Sequence, residues 1–428
     1  MAGAAAIAFC AAGLLGRAPS IRGEARPNEV LPVDSGASVR NLGVAGCASS
    51  ACHGGPASDS LSGILDSQTW ASSATHWLAV DPHTKAYAAL ESSLADKIMS
   101  RMHLKLKATD DARCLACHTN PALAEGEATP HEQALRKEGV GCESCHGSAS
   151  KWLHSHTTWT AESRSSGYQQ NGMTKLFDLG ERALTCAGCH VGAPADPARG
   201  SPVRDMNHDM IAAGHPRLNF DFADYQRRLP PHWFERDRTS GLPIGPGFEV
   251  KAWLVGCVAY AEADLLLRSD RDIRAKRNDP HTPWPEFSEW SCVSCHHKLA
   301  DNFPSSIGKP ALQTIWPSRS RIQAGGASKV GTRFAPIYAT LSENDCREVV
   351  KDLLKSVNAE SLDHDRACRV YHGLAAWERM RMKLEGRTEP DATFVLLAKN
   401  LTTRRGNLDT TVKPEARDQL KLLLGRLK

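Results

Sequence analysis

Apolar positions in this 428-residue chain recur in separate blocks, each with the spacing of a helix. Trp253, Leu254, Cys257, Val258, Ala261 and Leu265 mark one stripe and predict a helix over 251–269. Residues 70–105 also read as helical, broken at Asp81-Pro82, because proline lacks the N–H that a helix interior needs. Two more periodic blocks, 341–384 and 411–427, predict helices, the first with a start signal at Ser342-Glu-Asn-Asp345. Over 112–215 the runs shorten and predict short helices ending near cysteines. Residues 216–250 hold Pro216, Pro230, Pro231, Pro243 and Pro246 and predict mostly loop, and 279–320 predict Pro-rich turns. The expected class is mainly α with little strand.

The ends of the chain differ from its middle. Residues 3–15 are apolar, long enough for the hydrophobic stretch of a signal peptide and too short to span a bilayer. Arg17 and Arg22 follow it and no positive charge precedes it, which fits a start codon placed late with a basic leader segment missing. Residues 1–20 are thus expected to be a signal peptide or anchor, which leaves membrane association through the N-terminus open. Residues 21–46, rich in Pro, Gly and Ser, read as a linker. Residues 47–320 form one expected domain, and 321–428 a helical C-terminal appendage.

Fourteen cysteines change the picture. Four pairs have the form Cys-x-x-Cys-His: Cys114 and Cys117 before His118, Cys142 and Cys145 before His146, Cys186 and Cys189 before His190, and Cys292 and Cys295 before His296. An expanded copy, Cys47-Ala-Ser-Ser-Ala-Cys52-His53, has four residues between its thiols. This is the attachment signature of c-type haem: two thiols add to the vinyl groups and the adjacent imidazole is held under the iron. Zinc knuckles or disulfides are the competing reading. Histidine is 18 of 428 residues, so five cysteine pairs each followed by His arise by chance on the order of once in ten million. Zinc ribbons need no His after each pair. Five covalent haem c groups are therefore expected. Cys10, Cys257, Cys346 and Cys368 remain. Cys346 and Cys368 pair if two helices lie side by side, with unpaired buried thiols the alternative, and Cys257 reads as buried packing.

A formal charge of +4 is small and haem propionates shift it toward negative, so no nucleic-acid partner is expected. Aromatic residues are 6% of the chain, a modest supply of core that haems, as large apolar plates, can supplement.

Thirteen histidines lie outside the motifs: His76, His83, His103, His131, His154, His156, His208, His215, His232, His281, His297, His364 and His372. A second imidazole makes a six-coordinate electron-transfer haem, and an empty sixth position makes one that binds substrate. His208 and His215 are seven apart and share a face if the stretch between them is helical, which would let them reach two neighbouring haems. Alternatively His208 caps a helix while His215 packs in a turn before Pro216. His83 sits in the rigid turn Asp81-Pro-His83, with His76 as its competitor. His154 and His156 point to different sides, and one at most serves a given iron. His297 adjoins His296 and cannot reach the opposite face of that iron. His364 and His372 are expected at the surface or in packing.

Trp70, Asp81-Pro-His83 with Ala86-Tyr87, Gly139-Val-Gly-Cys-Glu-Ser-Cys-His-Gly147 with Trp152, and Asn207-His-Asp-Met-Ile-Ala-Ala-Gly-His-Pro-Arg-Leu-Asn219 carry a resemblance. The chain resembles multihaem cytochromes of the cytochrome c-554/c-prime type, related in haem arrangement to hydroxylamine oxidoreductase and pentahaem nitrite reductase. The resemblance covers about residues 40–300. It implies a mostly helical, exported electron carrier with haems stacked in parallel and perpendicular pairs. By motif position it implies His83, His156, His208 and His215 as distal ligands, with His232 as a fifth. The chain departs from ammonifying nitrite reductases in lacking Cys-x-x-Cys-Lys, and it shows no clear counterpart of the cross-linking tyrosine of hydroxylamine oxidoreductase.

The function expected is electron relay between redox partner proteins, in the periplasm or at the outer cell surface. Its rival is a multihaem oxidoreductase acting on a small nitrogen or sulfur compound at one five-coordinate haem, with His103, His131 and Arg217 as candidate proton donors and oxyanion binders. A third reading makes the tail a docking surface.

Overall fold

A computed structural model describes residues 40–56, 69–160, 162–229, 247–279, 285–290, 364–401 and 414–426, with positions 245, 282, 357, 362 and 412. The expected signal peptide, His232, His281, His297, Cys346, the start signal at 342–345 and the motif of Cys292, Cys295 and His296 lie outside the described residues. The protein is mainly helical, and among the described residues there is no sheet, only two isolated bridges, Ala193 with Arg204 and Asp196 with Ser201.

The first half of the chain is a series of short helices, six of them begun by a side-chain cap. They are α1 (Ser73–Val80), α2 (Ser93–Arg101), α3 (Ala112–His118), α4 (Pro130–Lys137), α5 (Cys142–His146), α6 (Arg164–Asn171), α7 (Leu179–His190), α8 (His208–Ala213) and α9 (Phe222–Arg228). Ser92, Asp111, Thr129, Asp178, Asn207 and Asp221 accept the first free N–H groups of α2, α3, α4, α7, α8 and α9. Helices this short are marginal alone, and a cap contributes about 1 kcal/mol to each. Proline breaks the predicted 70–105 block where expected. Asp81 ends α1, and Pro82–Lys85 forms a 3-10 turn. Three helices, α3, α5 and α7, end on the histidine of a cysteine motif.

α10 (Phe248–Lys276) is the beam of the molecule, 29 residues and about 43 Å long. It extends beyond the predicted 251–269 at both ends. It packs on α7 and α9, with Phe222, Ala183, Val250, Trp253, Leu254 and Val255 forming a buried cluster. The expectation of mostly loop over 216–250 is corrected within its described part by α9: Asp221 caps it through the N–H groups of Ala223 and Asp224, and the prolines at 216 and 230 fall outside its turns.

Behind α10 lie α11 (His364–Glu385), α12 (Ala392–Leu401) and α13 (Pro414–Gly425). The tail was expected to hold two helical blocks, and α12 is a third. These helices enclose their own core of Val370, Leu374, Leu397, Leu420 and Leu424. α11 meets α10 closely at Gly373, where an added Cβ would lie 2.6 Å from the Trp253 ring. His372, expected at the surface or in packing, packs against a carboxylate: its Nδ1 lies 2.6 Å from Asp221 Oδ2. It thus ties α11 to the cap of α9.

The far end of α10 is ionic. Arg271, buried, bridges Asp205 (2.6 Å) and Glu289 (3.1 Å), and Arg274 adds a second bond to Asp205 (2.7 Å). One helix thereby holds both the segment entering α8 and the turn Phe287–Glu289 that precedes Cys292.

Candidate haem-binding sites

Imidazoles that are far apart in sequence meet in pairs. His53 and His156 have ring centres 6.3 Å apart with planes 14° from parallel. His118 and His215 are also 6.3 Å apart, at 82°, and His83 and His190 are 6.3 Å apart, at 77°. Each pair joins the histidine of a cysteine motif to one that is remote from it. A metal–imidazole bond is about 2 Å, so two imidazoles on opposite sides of one iron have ring centres about 6 Å apart. Direct packing of two rings needs no such common distance. The residues present therefore fit an iron between each pair.

The outer ring nitrogens are also fixed. His118 Nδ1 lies 2.7 Å from the Ala86 carbonyl, His156 Nδ1 3.1 Å from that of Trp152, and His215 Nδ1 2.8 Å from that of Pro216. A carbonyl only accepts, so Nδ1 carries the proton in each and Nε2 keeps the lone pair that a metal takes. His53 Nδ1 lies 3.1 Å from Ser73 Oγ. His83 Nδ1 lies 2.8 Å from Asp81 Oδ1. Burial pushes His190 down to about 4 and lowers His118, which favours the neutral, ligating form. In His83 burial acts downward too, but the hydrogen bond and charge of Asp81 hold it above the ordinary histidine value.

Local structure explains how these rings are placed. Helix α8 stops at Ala213, and Gly214, at φ 117°, turns the chain before His215. The two histidines of this stretch thus point to different neighbours. His215 faces His118, while His208 packs its ring on Phe287 (5.8 Å) and donates its backbone N–H to Glu286 Oε1 (2.8 Å). His208 stands at the segment that runs into Cys292. Trp152, buried, sets its ring edge-on to His156 at 5.5 Å. Gly139, at φ 78°, lies where a Cβ would be 2.6 Å from the His83 carbonyl, so glycine there lets two backbones meet.

The thiols approach one another between motifs. Cys47 hydrogen-bonds Cys142, which lowers Cys47 and raises Cys142. Cys117 hydrogen-bonds Cys189; that bond, assisted by Arg204, draws Cys189 down to about 6. Cys145 feels the charges of Cys186 and Cys189. Among the described residues, none of the ten cysteines is in a disulfide, and no three His, Cys, Asp or Glu side chains converge as a zinc site requires. The core beside these motifs is built largely of small residues: of its eight buried members, Ala95, Ala108, Ala116 and Ala124 are half.

Sequence reasoning missed Glu143, the residue between the thiols of α5. It is buried, and its carboxylate accepts from Leu42 N and Gly43 N (2.8 Å each) and from Ala149 N (2.6 Å). It pins the segment that leads into Cys47. The only signal for it was a charged residue inside a motif that needs none.

His103 sits in the turn after α2 at φ 55°, and His131 lies in α4. No described helix is long and apolar enough to cross a membrane.

No curated protein and no solved structure matches the chain. Residues 67–147, which include the Asp81-Pro-His83 turn and the motifs ending at His118 and His146, match the family cytochrome c554 and c-prime. That match supports a c-type cytochrome, a class that holds haem covalently and transfers electrons.

Proposed function

We propose that the chain is a c-type cytochrome with five covalently attached haems that relays electrons between redox proteins outside the cytoplasm. The observation that carries this reading is the common 6.3 Å separation of three imidazole pairs, each joining a motif histidine to a remote one. In this reading Cys47 and Cys52, Cys114 and Cys117, Cys142 and Cys145, Cys186 and Cys189, and Cys292 and Cys295 form the thioether bonds. His53, His118, His146, His190 and His296 are the proximal ligands.

The distal ligands follow from the pairs: His156 opposite His53, His215 opposite His118, and His83 opposite His190. His208 serves the haem of Cys292 and Cys295, since it rests on the turn before that motif. His232 stays a candidate on the strength of the resemblance. Bound haem iron supplies one-electron chemistry. The protein orients the rings, excludes water and fixes the proton of His118, His156 and His215 on Nδ1.

Thiol hydrogen bonds join Cys47 to Cys142 and Cys189 to Cys117, and Cys145 lies within electrostatic reach of Cys186 and Cys189, which supports neighbouring haem edges along these motifs. Helices α11, α12 and α13 act as a buttress for α10. Haem attachment of this type takes place outside the cytoplasm, so the reading includes export. Partners dock weakly over a small area near an exposed haem edge.

Haem stoichiometry of the exported protein, from the pyridine haemochrome spectrum against protein concentration, tests the proposal. Five haems per chain are expected, with low-spin signals from the three imidazole pairs. A chain that carries none overturns it.

A further inference from the structure

We infer that Asp81 lowers the reduction potential of the haem held by Cys186 and Cys189, acting through His83; this rests on His83 and His190 being that haem's axial ligands. In five of the six paired rings the nitrogen away from iron has an identified partner, and these partners differ. The outer nitrogens of His118, His156 and His215 meet neutral backbone carbonyls, and that of His53 a hydroxyl. That of His83 meets a carboxylate, Asp81 Oδ1, at 2.8 Å.

The carboxylate is built in. Asp81 is 6% exposed, and the same oxygen also accepts the His83 backbone N–H at 2.9 Å. Pro82 stiffens the turn from within. From the other side the turn is held by Val140 N, which donates to the His83 carbonyl at 3.1 Å, and by Gly139 seated on that carbonyl. A buried, preoriented acceptor interacts more strongly than a solvated one. Sharing its Nδ1 proton with a carboxylate gives the imidazole partial imidazolate character. Nε2 then donates more electron density, which favours the oxidised iron.

Arg204, whose Nη1 lies 4.0 Å from Cys189 Sγ, acts in the opposite sense on the same haem. It is the same in wild type and in an Asp81 variant, so their difference isolates the carboxylate. Asp81 is thus a positioning and tuning residue for His83.

Spectroelectrochemical titration of the haem-loaded protein, wild type against Asp81→Asn, tests this. Asparagine keeps an acceptor oxygen and removes the charge. Asp81→Ser, which also caps the turn, serves if the first variant does not fold. One midpoint is expected to rise, by about tenfold in its reduction equilibrium or 59 mV for one electron, with the low-spin spectrum and the other midpoints kept. Asp81→Glu should return the midpoint toward wild type. Loaded, low-spin variants with no midpoint raised, or with all raised alike, overturn the inference. A wild-type chain without haem overturns the underlying reading instead.

Discussion

The imidazole of His215 stands opposite that of His118, 6.3 Å away and at 82° to it. α3 delivers one ring and the Gly214 turn the other, and Arg101 of α2 donates to the Ala213 carbonyl (3.0 Å) to hold the turn in place. Replacing His215 with Ala should convert one low-spin haem to high spin while five haems stay attached. Electron paramagnetic resonance of the oxidised protein reads this directly. A spectrum unchanged from wild type would remove His215 from the ligand set.

Glu143 joins the motif of α5 to the segment before Cys47 by two backbone hydrogen bonds, and a third holds Ala149. Glu143→Gln turns two amide hydrogens toward N–H groups that need an acceptor. It should cost about 2–3 kcal/mol, the scale of losing charge-assisted bonds in a buried setting. A thermal melt should show the loss, and limited proteolysis should open new cuts within residues 40–56. Equal stability and an unchanged digest would contradict the role given to Glu143.

Asp205 carries a pH dependence. Burial alone would raise it, but its bonds to Arg271 and Arg274 hold it below the ordinary carboxylate value. A carboxyl lowered on folding stabilises the protein fully above its unfolded pKa of about 3.9 and loses that contribution as pH falls through the folded value. Asp205→Asn leaves Arg271 buried without its closest partner and should cost about 3 kcal/mol at pH 6. In urea titrations the gap between variant and wild type should shrink at pH values below 4. A gap that is constant with pH would contradict the assignment.

Gly373 sets how closely α11 approaches α10. A Cβ there meets the Trp253 ring at 2.6 Å, so Gly373→Val overpacks the junction, at a cost of about 1–3 kcal/mol. Tryptophan fluorescence should shift and the melting temperature fall. A neutral substitution would mean that the tail does not rest on Trp253.

Much of this was legible in the sequence, because chemistry fixes spacing. The thiol pairs and adjacent histidines are local. The break at Asp81-Pro82 follows from proline, and the α10 stripe from its periodicity. Which rings face each other was not legible: His118 and His215 are brought together by a turn at Gly214 and by contacts between α2 and α8, neither of which leaves a periodic trace. The helix α9 hid among prolines because one Asp cap outweighed their local signal. His372 looked like a surface residue because its partner, Asp221, lies on another helix. Asp81 was visible as part of a turn, but its bond to the outer nitrogen of His83 appears only in three dimensions.

The intact mass of the polypeptide is the most direct measurement. Five covalent macrocycles should add to the peptide mass, and digestion should return one on each peptide that holds a thiol pair, including the expanded Cys47 and Cys52. A bare peptide mass, or one raised only by zinc, would contradict the account.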